Sequence, residues 1–213
     1  MRNFFLMSTI LFLITACTST TKPMPKVKVK SKASLSYVTI DKNDSKEMKS
    51  LKVALSEYTE ATINNDVEKL VSFVYPKTFQ IISKESMLKT LKKAHATGKI
   101  PSVKNIKHLT INPIKSYDKG FYSIITSSMT TVLNSPQVGN EAFEDYMLDM
   151  LQHKFASKGT VTLDKKKHQF NIQHKNKTIA LNENNSWKFI GLKKVKQYIK
   201  RGIFPKTLIE KIQ

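Results

Sequence analysis

Residues 58–76 read Tyr58-Thr-Glu-Ala-Thr-Ile-Asn-Asn-Asp-Val-Glu-Lys-Leu-Val-Ser-Phe-Val-Tyr-Pro76. Upstream of its break, Met48, Leu51, Leu55, Tyr58 and Thr62 recur at helical spacing, which predicts a first helix from about Ser45 to Ile63. Asp44 is in place to cap it, with Glu47 as its capping-box partner. Asn64-Asn65-Asp66 breaks that helix and recaps the chain. A short second helix follows, with Val67, Leu70, Val71 and Val74 inward, and it stops at Tyr75-Pro76 because a residue before proline avoids helical ψ.

Working outward, Ser83 is the expected cap of a third helix with Met87, Leu88 and Leu91 as its stripe and Gly98 as its stop. Strands are expected over Val103–Ile114 and Phe121–Leu133, joined by a hairpin turn at Tyr117-Asp-Lys-Gly120. Asn140 caps a fourth helix to about Phe155. Its predicted stripe is Phe143, Met147, Met150 and Leu151, and Glu141, Glu144, Asp145 and Asp149 form its acidic surface. Short strands follow at 159–163, 168–174, 177–181 and Trp187–Ile190, with turns at 164–167, Lys175-Asn176 and 182–186. The tail from Lys193 to Gln213 reads as helical, interrupted before Phe204-Pro205. Helices first and an antiparallel sheet later define an α+β class, with N-terminal helices on a curved antiparallel sheet and a helical tail.

The stretch 58–76, together with the closing Asn184-Asn-Ser-Trp-Lys-Phe-Ile190, resembles NTF2-like domains. In these a long helix, an Asn-Asp turn and a short helix wrap a cone-shaped sheet whose last strand bears a tryptophan. The helix at 83–97 and the tail are additions to that pattern, and either can cap the cone. The resemblance implies a pocket, for which Tyr58, Phe73, Tyr122 and Trp187 are the candidate lining residues. Plain core packing is the alternative reading of the same aromatics. Some NTF2-like enzymes place an Asp/His or Asp/Tyr pair inside the cone, and Tyr58, Asp66, His108 and Tyr122 are the residues here that could approach one.

The residues argue against an enzyme more than for one. None of His95, His108, His153, His168 and His174 sits in HxH, HExxH or HxxxH spacing, and His153, His168 and His174 read as surface residues. There is no GxSxG and no phosphate-cradling glycine loop. No catalytic residue, metal ligand or cofactor is predicted.

The N-terminus gives an address. Arg2 precedes a short apolar run, Phe4 to Ile14, too short for a bilayer, which needs about 20 apolar residues. The run ends in Ile14-Thr-Ala-Cys17, which resembles the lipobox of bacterial lipoproteins. The resemblance implies a signal peptide over 1–16, acylation of Cys17 and an outer-membrane location, because Thr18 is not Asp, facing the periplasm, because no acidic run follows the cysteine. An ordinary signal peptide with a chance cysteine is the alternative. With Cys17 the only cysteine, an internal disulfide is excluded. Residues 17–44 then form a Lys-, Pro- and Thr-rich tether, with Leu35, Tyr37, Val38 and Ile40 candidates for a docked extended strand, and 45–213 a single domain.

A net charge of +20 invites nucleic acid, but arginine occurs only at Arg2 and Arg201, and bidentate phosphate and base contacts lean on arginine. Nucleic acid is therefore set aside. The expected partners are the membrane, through Cys17, and an apolar small ligand or an envelope protein. The expected function is a tethered, non-enzymatic binding module. The alternatives are an accessory protein of an envelope complex, docking through the acidic fourth helix, or a pocket-based acid/base enzyme.

Overall fold

The computed structural model describes residues 38–98, 100–204 and 208, so the signal, Cys17 and most of the tether lie outside the described residues. Helix α1 (Lys46–Asn64) starts one residue later than expected: Ser45, not Asp44, is the cap, its Oγ accepting from the Met48 amide at 3.1 Å. Asp44 instead takes Lys52 Nζ at 2.6 Å and the Asp41 amide at 2.7 Å. Val38 packs on the core, but no strand forms between it and α1. Asn65, left-handed at φ 52°, ends α1, and Asp66 caps α2 (Val67–Ser72) by accepting from the Lys69 amide. A 3-10 turn at Pro76–Gln80 leads to α3 (Lys84–Ala96), capped by Ser83.

The sheet has six strands: β1 (Ser102–Ile111), β2 (Lys115–Tyr117), β3 (Gly120–Asn134), β4 (Gly159–Asp164), β5 (Gln169–Glu183) and β6 (Ser186–Gly191). All pairings are antiparallel, in the order β1-β3-β5-β4, with β2 on β3 and β6 on β5. The turn expected at Lys175-Asn176 does not exist. Strand β5 runs straight through it, paired to β3 from Phe121↔Asn182 to Asn134↔Gln169. The ladder supplies both residues with partners, and that outweighs a local turn preference. The turn expected at 182–186 does form, centred on Asn184-Asn185, both at positive φ, the two-residue hairpin geometry.

Strand parity then sorts the core. On one face of β3 and β5, Ile125 and Ala180 meet Leu51 and Leu55 of α1, with Trp187 and Phe189 from β6. Farther along the same face, Phe170 and Ile172 meet Leu151 of α4 (Glu141–Phe155). The opposite face carries Tyr122, Ile179 and Leu181. It is covered by Val195 of α5 (Leu192–Lys200), by Ile203 and Phe204 after it, and by Leu208. Helices α2 and α3 close a small satellite core of Val67, Val71, Met87 and Leu91. The result is a curled antiparallel half-barrel with helices on both faces. Of the helical tail expected to Gln213, a helix over Leu192–Lys200 is described, and most of the chain after Phe204 lies outside the described residues.

Candidate functional site

The four predicted pocket residues do not line one cavity. Tyr58 stacks on Phe189 at 4.6 Å and meets Phe73 edge-on at 5.7 Å, while Phe73 and Phe189 lie 5.5 Å apart. Three rings in mutual contact fill the space between α1 and the sheet. Tyr122 has the opposite parity on β3 and sits across the sheet with Tyr117, 6.3 Å between ring centres. Phe73 and Trp187 do reach an opening. It is a groove of about 440 Å³ whose walls include Val53, Glu57, Lys69 and Lys188. Trp187 is its floor, held by its indole Nε1–H donating to Ser50 Oγ at 3.0 Å. Lys69 pairs with Glu57 at 2.7 Å and stands 5.7 Å over the Phe73 ring; Lys188 donates to the Ser72 carbonyl at 2.7 Å. A separate hollow of about 470 Å³ borders Tyr122, Ile114, Lys115 and Ser116.

Between the part of the sheet under α1 and the part under α4 lie the rows Ser127↔Asn176 and Met129↔His174. Here the face turns polar. His108 of β1 is held through both ring nitrogens, Nδ1 with Ser127 Oγ at 2.8 Å and Nε2 with Thr59 Oγ1 at 2.9 Å. Burial lowers its pKa, and with hydroxyls on both sides no carboxylate is bonded to it to hold a proton. His174 bonds Thr131 Oγ1 at 3.1 Å and lies 5.7 Å from the Phe155 ring. Of the candidate acid/base set, Asp66 is the cap of α2, Tyr58 is core, and Tyr122 is on the other face. The structure therefore does not bring that set together around His108.

Two titratable clusters were not legible in the sequence. Glu183 Oε1 accepts from Tyr75 at 2.9 Å and from Tyr117 at 2.6 Å. Burial first, then the bonded carboxylate, push both phenols well above the ordinary tyrosine range. The available signal was chemical: a tyrosine buried at an element's end needs a partner for its hydroxyl. The second cluster corrects two expectations. Glu144 is not on an acidic surface but 2% exposed, and His168 is not a plain surface residue. His168 Nδ1 meets Glu144 Oε1 at 3.0 Å. Burial would raise the Glu144 pKa, but hydrogen bonds from His168, Ser135 and the Gly139 amide hold it below the usual range. His174, half-buried against Phe155, is likewise not a surface residue, whereas His153 is exposed.

Among the described residues, no cluster of three or more His, Cys, Asp and Glu side chains could hold a metal ion, and no helix is long and apolar enough to cross a membrane. No known protein family, curated protein or solved structure matches this chain.

Proposed function

We propose that this chain is a bacterial envelope lipoprotein, anchored by acyl groups on Cys17 and carrying an NTF2-like binding module on a flexible tether. The address rests on Arg2, the apolar run and Ile14-Thr-Ala-Cys17. Two or three acyl chains, at roughly 0.8 kcal/mol per buried CH₂, outweigh any help from the tether lysines. The NTF2-like assignment is supported by the long α1, the left-handed Asn65, the short α2, and a curled sheet whose β6 bears Trp187.

The observation that carries the binding role is the groove between α1, α2 and the Asn184-Asn185 turn. Its Trp187 floor and Val53 wall, 47% exposed, suit the apolar body of a small ligand, and its rim supplies Lys69, Lys188 and Glu57. Binding rather than turnover fits a His108 locked between two hydroxyls.

Native mass spectrometry of the protein taken gently from its envelope tests the module. A discrete extra mass, lost when Val53→Trp fills the groove, is expected; a bare acylated protein overturns the small-ligand reading. Palmitate labelling tests the anchor: Cys17→Ala should leave an unlabelled precursor, and a labelled variant overturns it.

A further inference from the structure

The outward face of α4 is built for contact, and it is independent of the groove. Inward, Met147, Leu148, Leu151 and Phe155 pack on the sheet. Outward, Ala142, Tyr146 and Met150 follow one another at four-residue spacing and make a continuous apolar ridge. Of the described large apolar side chains, the two most exposed are Tyr146 at 64% and, in the loop just before the helix, Val138 at 58%. Met150, expected to face the core, is 37% exposed. Beside this ridge runs a second one, Glu141, Asp145 and Asp149, at the same spacing. From Glu141 to His153 the chain has no lysine or arginine, in a protein of net charge +20.

Paired apolar and acidic ridges of this kind match one kind of occupant. An amphipathic helix carrying lysine or arginine beside its apolar stripe fills the groove between the ridges and pairs with the acids. The intramolecular partners of these acids do not compete strongly. Asp145–Lys165 at 3.7 Å and Asp149–His153 at 3.6 Å are long and exposed, and such bridges exchange readily. Across the rest of the molecule lysines outnumber acids, and the net charge of +20 directs a cationic helix toward this acidic face. An anionic lipid surface is disfavoured here for the same reason.

We infer that the outer face of α4 docks a lysine- or arginine-rich amphipathic helix of a protein partner. The test is photo-crosslinking in cells that make the full chain, with benzoylphenylalanine replacing Tyr146 in one strain and Met150 in another. The expected crosslink falls within a basic amphipathic helix of another protein. It drops about tenfold with Asp145→Lys plus Asp149→Lys, and is kept with Glu47→Lys plus Glu85→Lys, which changes net charge equally. Unchanged Trp187 emission shows that each variant is folded, and reversing the captured helix's own charges should restore the crosslink. Capture of a second copy, of the chain's own residues 22–32, of lipid, of a non-basic segment, or of nothing from either position overturns the inference. So does a crosslink insensitive to the charge reversal.

Discussion

Glu144 of α4 and His168 of the β4–β5 turn meet at 3.0 Å, with the glutamate side chain only 3% exposed. This one contact ties α4 to the start of β5, and the Ser135 amide, donating to the His168 carbonyl at 2.8 Å, closes the loop around it. Because the carboxyl titrates lower in the folded chain than in the unfolded one, its contribution is complete above the ordinary carboxylate range. It is lost as the pH falls through the lowered value. Thermal melts between pH 7 and pH 3 should show falling stability at the acid end, and Glu144→Gln should flatten that fall while lowering the melting temperature at pH 7. An unchanged acid limb in the variant would count against the pair.

His108 adds an earlier step on the same side. Its neutral form is favoured by burial, so stability is complete above the ordinary histidine range and declines as the pH drops below it. Proton NMR should find the His108 ring still neutral just below the ordinary histidine range. A His108 resonance that titrates at the ordinary histidine value would refute this.

On the alkaline side the sign reverses. Tyr75 and Tyr117 have raised values, so the folded state keeps them protonated, and this contribution is lost as the pH rises above the ordinary tyrosine range. Absorbance at 295 nm should show these two phenolates appearing only with unfolding. Tyr117→Phe should cost about 1–2 kcal/mol in urea denaturation, the range for a hydrogen bond to a partly screened charge.

Trp187 is the only tryptophan and is 4% exposed, so its emission should be blue-shifted and move red on unfolding. Ser50→Ala leaves the indole N–H without its acceptor and should cost about 1 kcal/mol, read from the same emission in urea.

Two glycines at positive φ should respond differently to alanine. Gly120, at φ 153°, would drive a Cβ into the Asn182 carbonyl of β5, so strain and collision together predict a loss of about 2–4 kcal/mol. Gly139, at φ 81°, has open space around it and should lose only about 1 kcal/mol from backbone strain. Equal losses in parallel urea melts would mean that the β3–β5 approach at Gly120 is looser than the structure has it.

Local signals carried most of the element order. Asp66, Ser83 and Asn140 each cap the helix that the sequence assigns to them, because an N-cap needs only its own side chain and an amide three residues on. What escaped depended on distant residues. Lys175-Asn176 reads as a turn until β3 is laid beside it. The wheel of α4 leaves Glu144 and Met150 both plausible on either side. His168, 24 residues away, decides which one goes in. The aromatics Phe73, Trp187 and Tyr122 were legible as buried, but the face each occupies is set by sheet parity. The sequence pattern alone left the two faces of β3 equally mixed.

The indole of Trp187 reaches back 137 residues to Ser50, and the Phe189 amide of the same strand donates to the Phe73 carbonyl. Ile125 of β3 lies under the first helix early, but Trp187 and Phe189 complete its floor only when the last strand has been made. A ribosome that has produced α1 through α4 has still not produced Ala180, Trp187 and Phe189, which finish the packing under α1. The core under the first helix is thus completed by the end of the sheet, so its last contacts form late in synthesis.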